Sequence, residues 1–264
     1  MDAEPKLEAQ LAVACASLAE IGDRARMEDR HGMLQQDELI CVVVADGVGG
    51  QRGGAEAATI VVDTVLERFS QEALWGERAL RSYLAAATAR LAARKLEAPD
   101  LQGMSATVAA VLVDRHNRTA LFGHLGDTRI YLFRRGHLAW VSKDHSVVQQ
   151  FIDAGYCTPA QLRTHALRST LFAAVGIESE TPVQAIHAPV ALEHGDALLL
   201  CSDGFWEWID DSAMQSAFDG AASVGDWLRN MAAVAAAASM ASGRPRDNTS
   251  AIALWISAVA GPGS

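Results

Sequence analysis

Short apolar runs alternate along this chain with segments of helical spacing. The runs near residues 12–19, 30–35 and 39–45 have the length of β-strands and end in polar or glycine residues. In 54–69 and 77–96, apolar residues instead return every three or four positions. This spacing predicts two amphipathic helices, each with one face in the core.

The middle of the chain predicts four strands separated by very short turns. Between residues 105 and 141 the apolar runs TVAAVLV, TALFGHL, RIYLF and HLAWVS are divided by turn residues. Strands joined by such turns pair antiparallel, so we expect a meander. The segment 144–190 is helical or irregular, a capped helix is predicted in FWEWIDDSAMQSAF, and 224–241 is an alanine-rich helix.

The order of these elements predicts the fold class. The simplest packing is an α+β fold, an α-β-β-α sandwich of two antiparallel sheets flanked by helices. The chain has 264 residues, half of them hydrophobic, which is enough for one large core. We expect a single domain over 1–264, with 1–10 and 260–264 as mobile tails.

Charge and apolar length exclude two classes of partner. The formal net charge of −10 argues against a nucleic acid, whose phosphates attract clustered Lys and Arg. An uninterrupted apolar stretch of the roughly 20 residues that a membrane-spanning helix needs is absent from the sequence. We therefore expect a soluble protein without a membrane partner.

The four cysteines, Cys15, Cys41, Cys157 and Cys201, have no C-x-x-C spacing, and three of them lie in apolar runs. This favours buried, reduced thiols and a cytoplasmic location. The apolar run that ends at Cys15 allows a lipoprotein signal as an alternative. Its leading segment is acidic, however, whereas a signal peptide requires positive charge, so we interpret it as the first strand.

Three aspartates lie at the ends of predicted strands beside glycine or asparagine. They are Asp46 in LICVVVADG, Asp203 in ALLLCSDG and Asp247 in RDNTSAIALWI. A single Asp-Gly is ordinary turn chemistry. Several carboxylates at strand ends, with neighbours that allow tight turns, are instead what Mg²⁺ or Mn²⁺ needs, because these cations take oxygen ligands in rigid geometry. We expect a divalent metal centre.

The order of the motifs is more specific than any one of them. The chain has R-x-x-x-E-D (Arg24, Glu28, Asp29), then D-G-x-G-G, then G-D-T-R around Asp127, then S-D-G, then D-N. From about Gly22 to the last strand, this order resembles the metal-dependent protein phosphatase family, the type 2C Ser/Thr phosphatases. The resemblance implies the α-β-β-α fold and a mobile flap within 144–190.

The resemblance also implies two core Mn²⁺ or Mg²⁺ ions and allows a third, weaker one. Asp46 would bridge the core ions, with the Gly47 carbonyl on one of them. Asp203 and Asp247 would hold the other, and Asp127 would share the third ion with Asp203. Cations are physically necessary here, because this many carboxylates would otherwise repel a phosphomonoester.

The remaining motif residues receive roles on the substrate side. The resemblance places Glu28 and Asp29 at metal-bound waters and Arg24 on the substrate phosphate. A guanidinium suits that role because it donates two parallel hydrogen bonds to phosphate oxygens. A water clamped between two cations has a lowered pKa and attacks phosphorus directly, so a covalent enzyme intermediate is not required.

The expected activity is hydrolysis of phosphoserine and phosphothreonine in a phosphorylated protein, by a monomer that opposes a Ser/Thr kinase. The stretch CSDGFWEWI is similar to stand-alone bacterial members associated with type VI secretion. One alternative is a pseudophosphatase that binds phosphoproteins without turnover, although such members lose metal aspartates that this chain retains. Another is a different metal-dependent hydrolase, such as a phosphodiesterase or a nuclease, and the acidic charge disfavours the nuclease.

Two departures from the family pattern concern the substrate side. Val48 stands where many eukaryotic relatives carry a histidine proposed to protonate the leaving oxygen, so the general acid is unassigned. In HALRSTLFAAVG, residues 165–176, Arg168 is retained, but the arginine expected near Ala173 is absent. The second departure affects substrate contacts more than metal binding.

Overall fold

The structure is a computed structural model that describes residues 11–48, 53–177 and 185–258. The predicted tails, 1–10 and 260–264, lie outside the described residues. The strands within these ranges are β1 (Leu11–Glu20), β2 (Arg30–Gln36), β3 (Leu39–Ala45), β4 (Gly47–Val48), β5 (Ser105–Ala106), β6 (Val108–Asp114), β7 (Thr119–Leu125), β8 (Arg129–Arg134), β9 (His137–Val141), β10 (Ala185–Ile186), β11 (Val190–Ala191), β12 (Ala197–Cys201) and β13 (Thr249–Ala258). The helices there are α1 (Gly54–Gln71), α2 (Glu77–Glu97), α3 (Val147–Asp153), α4 (Asp203–Trp206), α5 (Asp211–Asp219) and α6 (Val224–Ser242).

The strands form two large antiparallel sheets. One has the order β1-β13-β12-β8-β9, and the other has the order β10-β7-β6-β3-β2, with β11 also paired to β7. The short strands β4 and β5 pair with each other. The expected architecture of two antiparallel sheets is therefore confirmed.

Strand β3 shows how the layers pack. Cys41, Val43 and Ala45 face a core shared with α1 and α2, whereas Val42 and Val44 face the core between the two sheets. All five are fully buried, as expected for a strand covered on both faces. A third core packs α5 and α6 against the other sheet. The α-β-β-α sandwich is thus confirmed.

The predicted meander over 105–141 is wrong in one respect. Strands β6 and β7 pair, and β8 and β9 pair, but β7 and β8 lie in different sheets. Gly126 lies between them with a φ of +101°, a conformation that favours glycine. The chain therefore crosses from one sheet to the other at Asp127. The prediction failed because a short connection requires antiparallel pairing only when the two strands stay neighbours in one sheet.

The predicted helix in FWEWIDDSAMQSAF is also divided. It forms the single turn α4 and then α5, which begins where the Asp210 side chain accepts a hydrogen bond from Ala213 N at 2.8 Å. Within the described part of 144–190, α3 is followed by a 3₁₀ turn over Pro159–Thr164. None of the described helices combines the length and apolarity that a membrane crossing requires.

The cysteine prediction is confirmed only in part. All four cysteines are free thiols, and Cys41 and Cys201 are buried. Cys15 is exposed, contrary to the expectation of burial. It lies on β1, an edge strand of its sheet, so one face of this strand has less covering than the central strands.

Candidate metal and phosphate site

The position of Asp46 is determined by hydrogen bonds of its main chain. Asp46 directly follows β3, and its N–H donates to Thr107 Oγ1 at 2.9 Å. Its carbonyl accepts from Thr107 N at 2.8 Å, and Thr107 is fully buried. The adjacent Gly47 N–H donates to the carbonyl of Glu28 at 3.2 Å. The end of β3 is therefore held on both sides, and its carboxylate projects from a rigid support.

Two glycines allow the start of α1 to approach this strand end. A Cβ on Gly47 would lie 2.4 Å from the carbonyl atoms of Gly54. A Cβ on Gly54 would lie 2.9 Å from Glu28 Oε2 and 3.0 Å from the Gly47 carbonyl oxygen. A side chain at either position would collide with the backbone or the carboxylate, so Gly47 combines a bare carbonyl with close packing against the start of α1.

Asp203 and Asp247 meet through a similar close approach. Asp203 is the first residue of α4, and Asp247 lies two residues before β13. Between them, a Cβ on Gly204 would lie only 2.0 Å from the carbonyl oxygen of Asn248. The S-D-G and D-N motifs therefore pack directly against each other, which the spacing along the chain does not reveal.

Asn248 connects this pair to the segment that carries Arg24 and Glu28. Its Nδ2 donates to Ile21 O at 2.7 Å, and its Oδ1 accepts from Glu28 N at 2.7 Å. Asn248 is buried, so both bonds are protected from water. The sequence analysis gave Asn248 no role, although its place beside Asp247 in the D-N motif indicated that it lies near the site.

Most of the predicted site residues line one cavity of about 150 Å³. Of the eight predicted residues, only Asp29 is not part of its lining. Asp29 is buried, and its Oδ2 accepts a hydrogen bond from Ser202 Oγ at 2.7 Å. The lining residues are Arg24, Glu28, Asp46, Gly47, Val48, Asp127, Ser169, Leu171, Asp203, Asp247 and Asn248.

The carboxylates strongly perturb one another. Burial and the neighbouring charges of Asp29 and Asp203 raise the pKa of Asp46 well above its ordinary value. Burial, followed by nearby carboxylates, raises the pKa of Asp203 to about 7. Burial likewise raises the pKa of Asp29 to about 6 and is the main cause of a raised pKa at Asp127. So many ionised groups this close together require protons or cations.

The donor set fits hard divalent cations. Asp29 Oδ1 and Asp203 Oδ1 are buried and have no hydrogen-bond partner among the described residues. Asp247 Oδ2 accepts from Arg24 Nη2 at 2.5 Å. In this conformation, no three of the described His, Cys, Asp and Glu side chains are arranged to hold an ion directly. The cavity thus has oxygen ligands of the right chemistry, with one of them paired to an arginine.

Asp127 is positioned by a buried aromatic and ionic cluster that sequence reasoning missed. Trp206 Nε1 donates to the Asp127 carbonyl at 2.8 Å, and the Arg129 guanidinium lies 3.5 Å from the centre of the Trp206 ring. Arg129 in turn forms two 2.7 Å hydrogen bonds with Asp144. The crossover between the sheets is therefore tied to α4, the helix that begins at Asp203.

Another part of the cavity wall comes from residues 165–172, which we call the 165–172 segment. It contributes Ser169 and Leu171 to the lining. Arg168 is not among the lining residues and instead pairs with Glu207 at 2.9 Å. Ala173, where an arginine was expected, is buried in the core shared with α1 and α2. Neither position of the family pattern therefore brings an arginine to the described lining of the cavity.

Comparison with known proteins identifies this arrangement. The family model described as Protein phosphatase 2C matches residues 19–242. Over 178 residues the chain is 33% identical to the Serine/threonine protein phosphatase PstP of Mycobacterium tuberculosis, covering 67% of this chain and 34% of PstP. The chain thus spans about a third of the length of that curated relative.

Two solved structures add detail. The catalytic domain of PstP in complex with two manganese ions has a TM-score of 0.77 and 25% identity, covering 94% of this chain and 99% of that one. PppA, a key regulatory component of the type VI secretion system in Pseudomonas aeruginosa, has a TM-score of 0.73 and 25% identity. This alignment covers 92% of this chain and 97% of the PppA chain. Both have the same fold as the chain.

Proposed function

Because the chain belongs to the Protein phosphatase 2C family, we propose that it is a metal-dependent phosphatase that hydrolyses phosphoserine and phosphothreonine in proteins. The observation that carries the proposal is the convergence of Asp46, Asp127, Asp203 and Asp247 on one cavity that also contains Arg24. Burying several carboxylates together costs folding free energy, and a pseudophosphatase does not need them because it does not turn over substrate.

We propose that Asp46, Asp203 and Asp247, with the Gly47 carbonyl, hold two core cations, and that Asp127 holds a third. Two divalent cations, when bound, lower the pKa of water and neutralise charge on the phosphoryl group. The complex of the PstP catalytic domain with two manganese ions supports the number of core cations.

The protein itself positions the substrate and the outer carboxylates. Arg24 is half exposed at the cavity, and its pairing with Asp247 raises the pKa of its guanidinium, which stays charged. We propose that it binds the substrate phosphate through parallel hydrogen bonds. Glu28 and buried Asp29 would accept hydrogen bonds from ordered waters rather than contact substrate.

The wider setting is part of the same proposal. We infer a single catalytic domain over 1–264 that acts as a monomer in the cytoplasm, with a Ser/Thr kinase as its opponent. Free thiols at all four cysteines support a reducing compartment. The likeness to PppA supports a role in regulating type VI secretion.

The test is turnover of a phosphothreonine peptide and of an aryl phosphate, each with Mn²⁺, Mg²⁺ or excess EDTA. We expect activity with a divalent cation and its loss with chelator, and we expect Asp46→Asn to be inactive under all conditions. Full activity of the dialysed protein in excess EDTA would overturn the proposed mechanism.

A further inference from the structure

A buried carboxylate outside the cavity joins the two sides of the site. Glu207 lies one residue beyond α4, and its side chain is only 5% exposed. Arg168 Nη2 donates a hydrogen bond to its Oε2 at 3.0 Å and lies 2.9 Å from its Oε1, and Arg244 forms an ion pair with Oε1 at 2.8 Å. The Arg244 guanidinium also lies 4.4 Å from the centre of the Trp208 ring. One carboxylate therefore pairs with two guanidinium groups from different parts of the chain.

The position of Arg168 in the chain gives this pair its significance. Arg168 immediately precedes Ser169, which lines the cavity, whereas Glu207 follows Asp203 by four residues. The ion pair thus sets the distance between the 165–172 segment and the helix that begins with a candidate metal ligand. Arg244 comes from the loop between α6 and β13 and balances the charge of Glu207 from the other side.

The backbone of the 165–172 segment is hydrogen-bonded to the chain just before and at the start of α3. Val147 N donates to the carbonyl of Thr170 at 2.9 Å, and Phe172 N donates to that of His145 at 3.0 Å. Toward α4, Arg163 from the preceding 3₁₀ turn donates to Trp206 O at 3.0 Å. Within the segment itself, the side-chain link toward α4 is the pair of Arg168 with Glu207.

The energetics favour a positioning role over a stabilising one. A buried ion pair contributes little net stability compared with apolar side chains of similar size, because both charges lose their hydration. What the pair supplies is geometry, since one guanidinium nitrogen, Nη2, lies within 3.0 Å of both carboxylate oxygens and so fixes the distance between the two side chains.

We propose that Arg168 and Glu207 are positioning residues that hold Ser169 and Leu171 against the cavity and thereby determine the affinity for a phosphoprotein substrate. The proposal rests on the proposed phosphatase function and extends it to residues that do not touch substrate. Loss of the pair should loosen the wall, raise KM and leave the chemistry at Asp46 intact.

The test compares Arg168→Gln with Arg244→Gln, which removes the other cation from the same carboxylate. In Arg168→Gln we expect amide hydrogen exchange over 165–172 to accelerate about tenfold and KM for a phosphothreonine peptide to rise about fivefold, with kcat within about twofold. Arg244→Gln should leave exchange in this segment and KM near wild type. Glu207→Gln should show the same changes in exchange and KM as Arg168→Gln. The variant that combines Arg168→Gln with Glu207→Gln should have a KM no higher than that of Glu207→Gln alone.

Hydrogen exchange separates failure of this inference from failure of the proposed function, because exchange is measured without turnover. If Glu207→Gln does not fold, Arg168→Gln decides alone, since Arg168 is 31% exposed and its loss is easier to tolerate. Wild-type exchange and KM in Arg168→Gln would overturn the proposal. So would a variant that only melts at lower temperature, or a double variant whose effects on KM add.

Discussion

The two walls of the cavity are built by different means. One, which we call the carboxylate wall, carries Asp46, Asp127, Asp203 and Asp247. Its backbone atoms pack closely, as at Thr107 with Asp46 and at Gly204 with Asn248. The 165–172 segment instead reaches α4 through an ion pair of side chains. The carboxylates proposed to hold the cations thus lie on backbone with little freedom, whereas Ser169 and Leu171 lie on a segment whose position can change by substitution.

The largest expected effect comes from a change within the carboxylate wall. In Gly204→Ala the new Cβ would lie 2.0 Å from Asn248 O, so the S-D-G and D-N segments must separate. We expect a loss of about 3 kcal/mol or more in the free energy of unfolding, measured by urea denaturation. Gly103→Ala is the matched control, because a Cβ there would meet no atom of the described residues within 4 Å, and its effect should stay within about 1 kcal/mol. Equal stability of the two variants would show that the wall is not rigid.

The same wall predicts an unusual pH dependence for EDTA-treated protein. Since the pKa of Asp29 is raised to about 6, the folded state keeps a proton that the unfolded state releases between about pH 4 and 6. The free energy of unfolding should therefore fall as pH rises through this window, by about 3 kcal/mol from Asp29 alone. Raised pKa values at Asp46 and Asp203 act in the same direction.

Manganese provides the control for this pH effect. Ionised carboxylates bind cations and protonated ones do not, so added Mn²⁺ should raise Tm more at pH 8 than at pH 5. A metal-free protein that is more stable at pH 8 than at pH 5 would contradict the electrostatic description of the wall.

Substitution of Asp127 tests whether the proposed third ion can be lost while the two core ions remain bound. We expect Asp127→Ala to keep two tightly bound Mn²⁺ ions in a titration while kcat falls about a hundredfold, because it would lose only the third ion. If Asp127 merely shapes the crossover between the sheets, Tm should fall and the rate per folded molecule should stay unchanged. Measuring Tm beside kcat distinguishes the two roles.

Among the cavity residues, Arg24 should give the smallest effect, because its side chain is half exposed. We expect Arg24→Ala to raise KM about tenfold with little change in kcat. Its removal frees Asp247 Oδ2, so Mn²⁺ affinity should be retained or increased. A calorimetric titration in which Arg24→Ala loses Mn²⁺ binding would refute this division of roles.

Much of the fold was predictable because its strands and helices carry strong periodicity. The apolar runs of β3 and β6 and the helical faces of α1 and α2 were each identified from sequence. The split between β7 and β8 was not, because the choice of sheet depends on which faces are covered and not on the turn between the strands. Cys15 was misjudged for a related reason, since an edge strand has the same pattern as a central one.

The site divides in the same way. The aspartates were found because each lies in a short motif at a strand end. Asn248, Trp206 and Glu207 act through buried hydrogen bonds to residues far away in sequence, and such contacts leave no local pattern. The pairing of Arg24 with Asp247 was unexpected for the same reason.

The central claim is that the carboxylate wall binds two divalent cations through Asp46, and calorimetric titration of metal-stripped protein with Mn²⁺ tests it most directly. We predict two tight sites in the wild type, with turnover of a phosphothreonine peptide appearing only as the second site fills, and at most one site in Asp46→Asn. Two undiminished sites in Asp46→Asn, or full turnover before Mn²⁺ is added, would contradict the account.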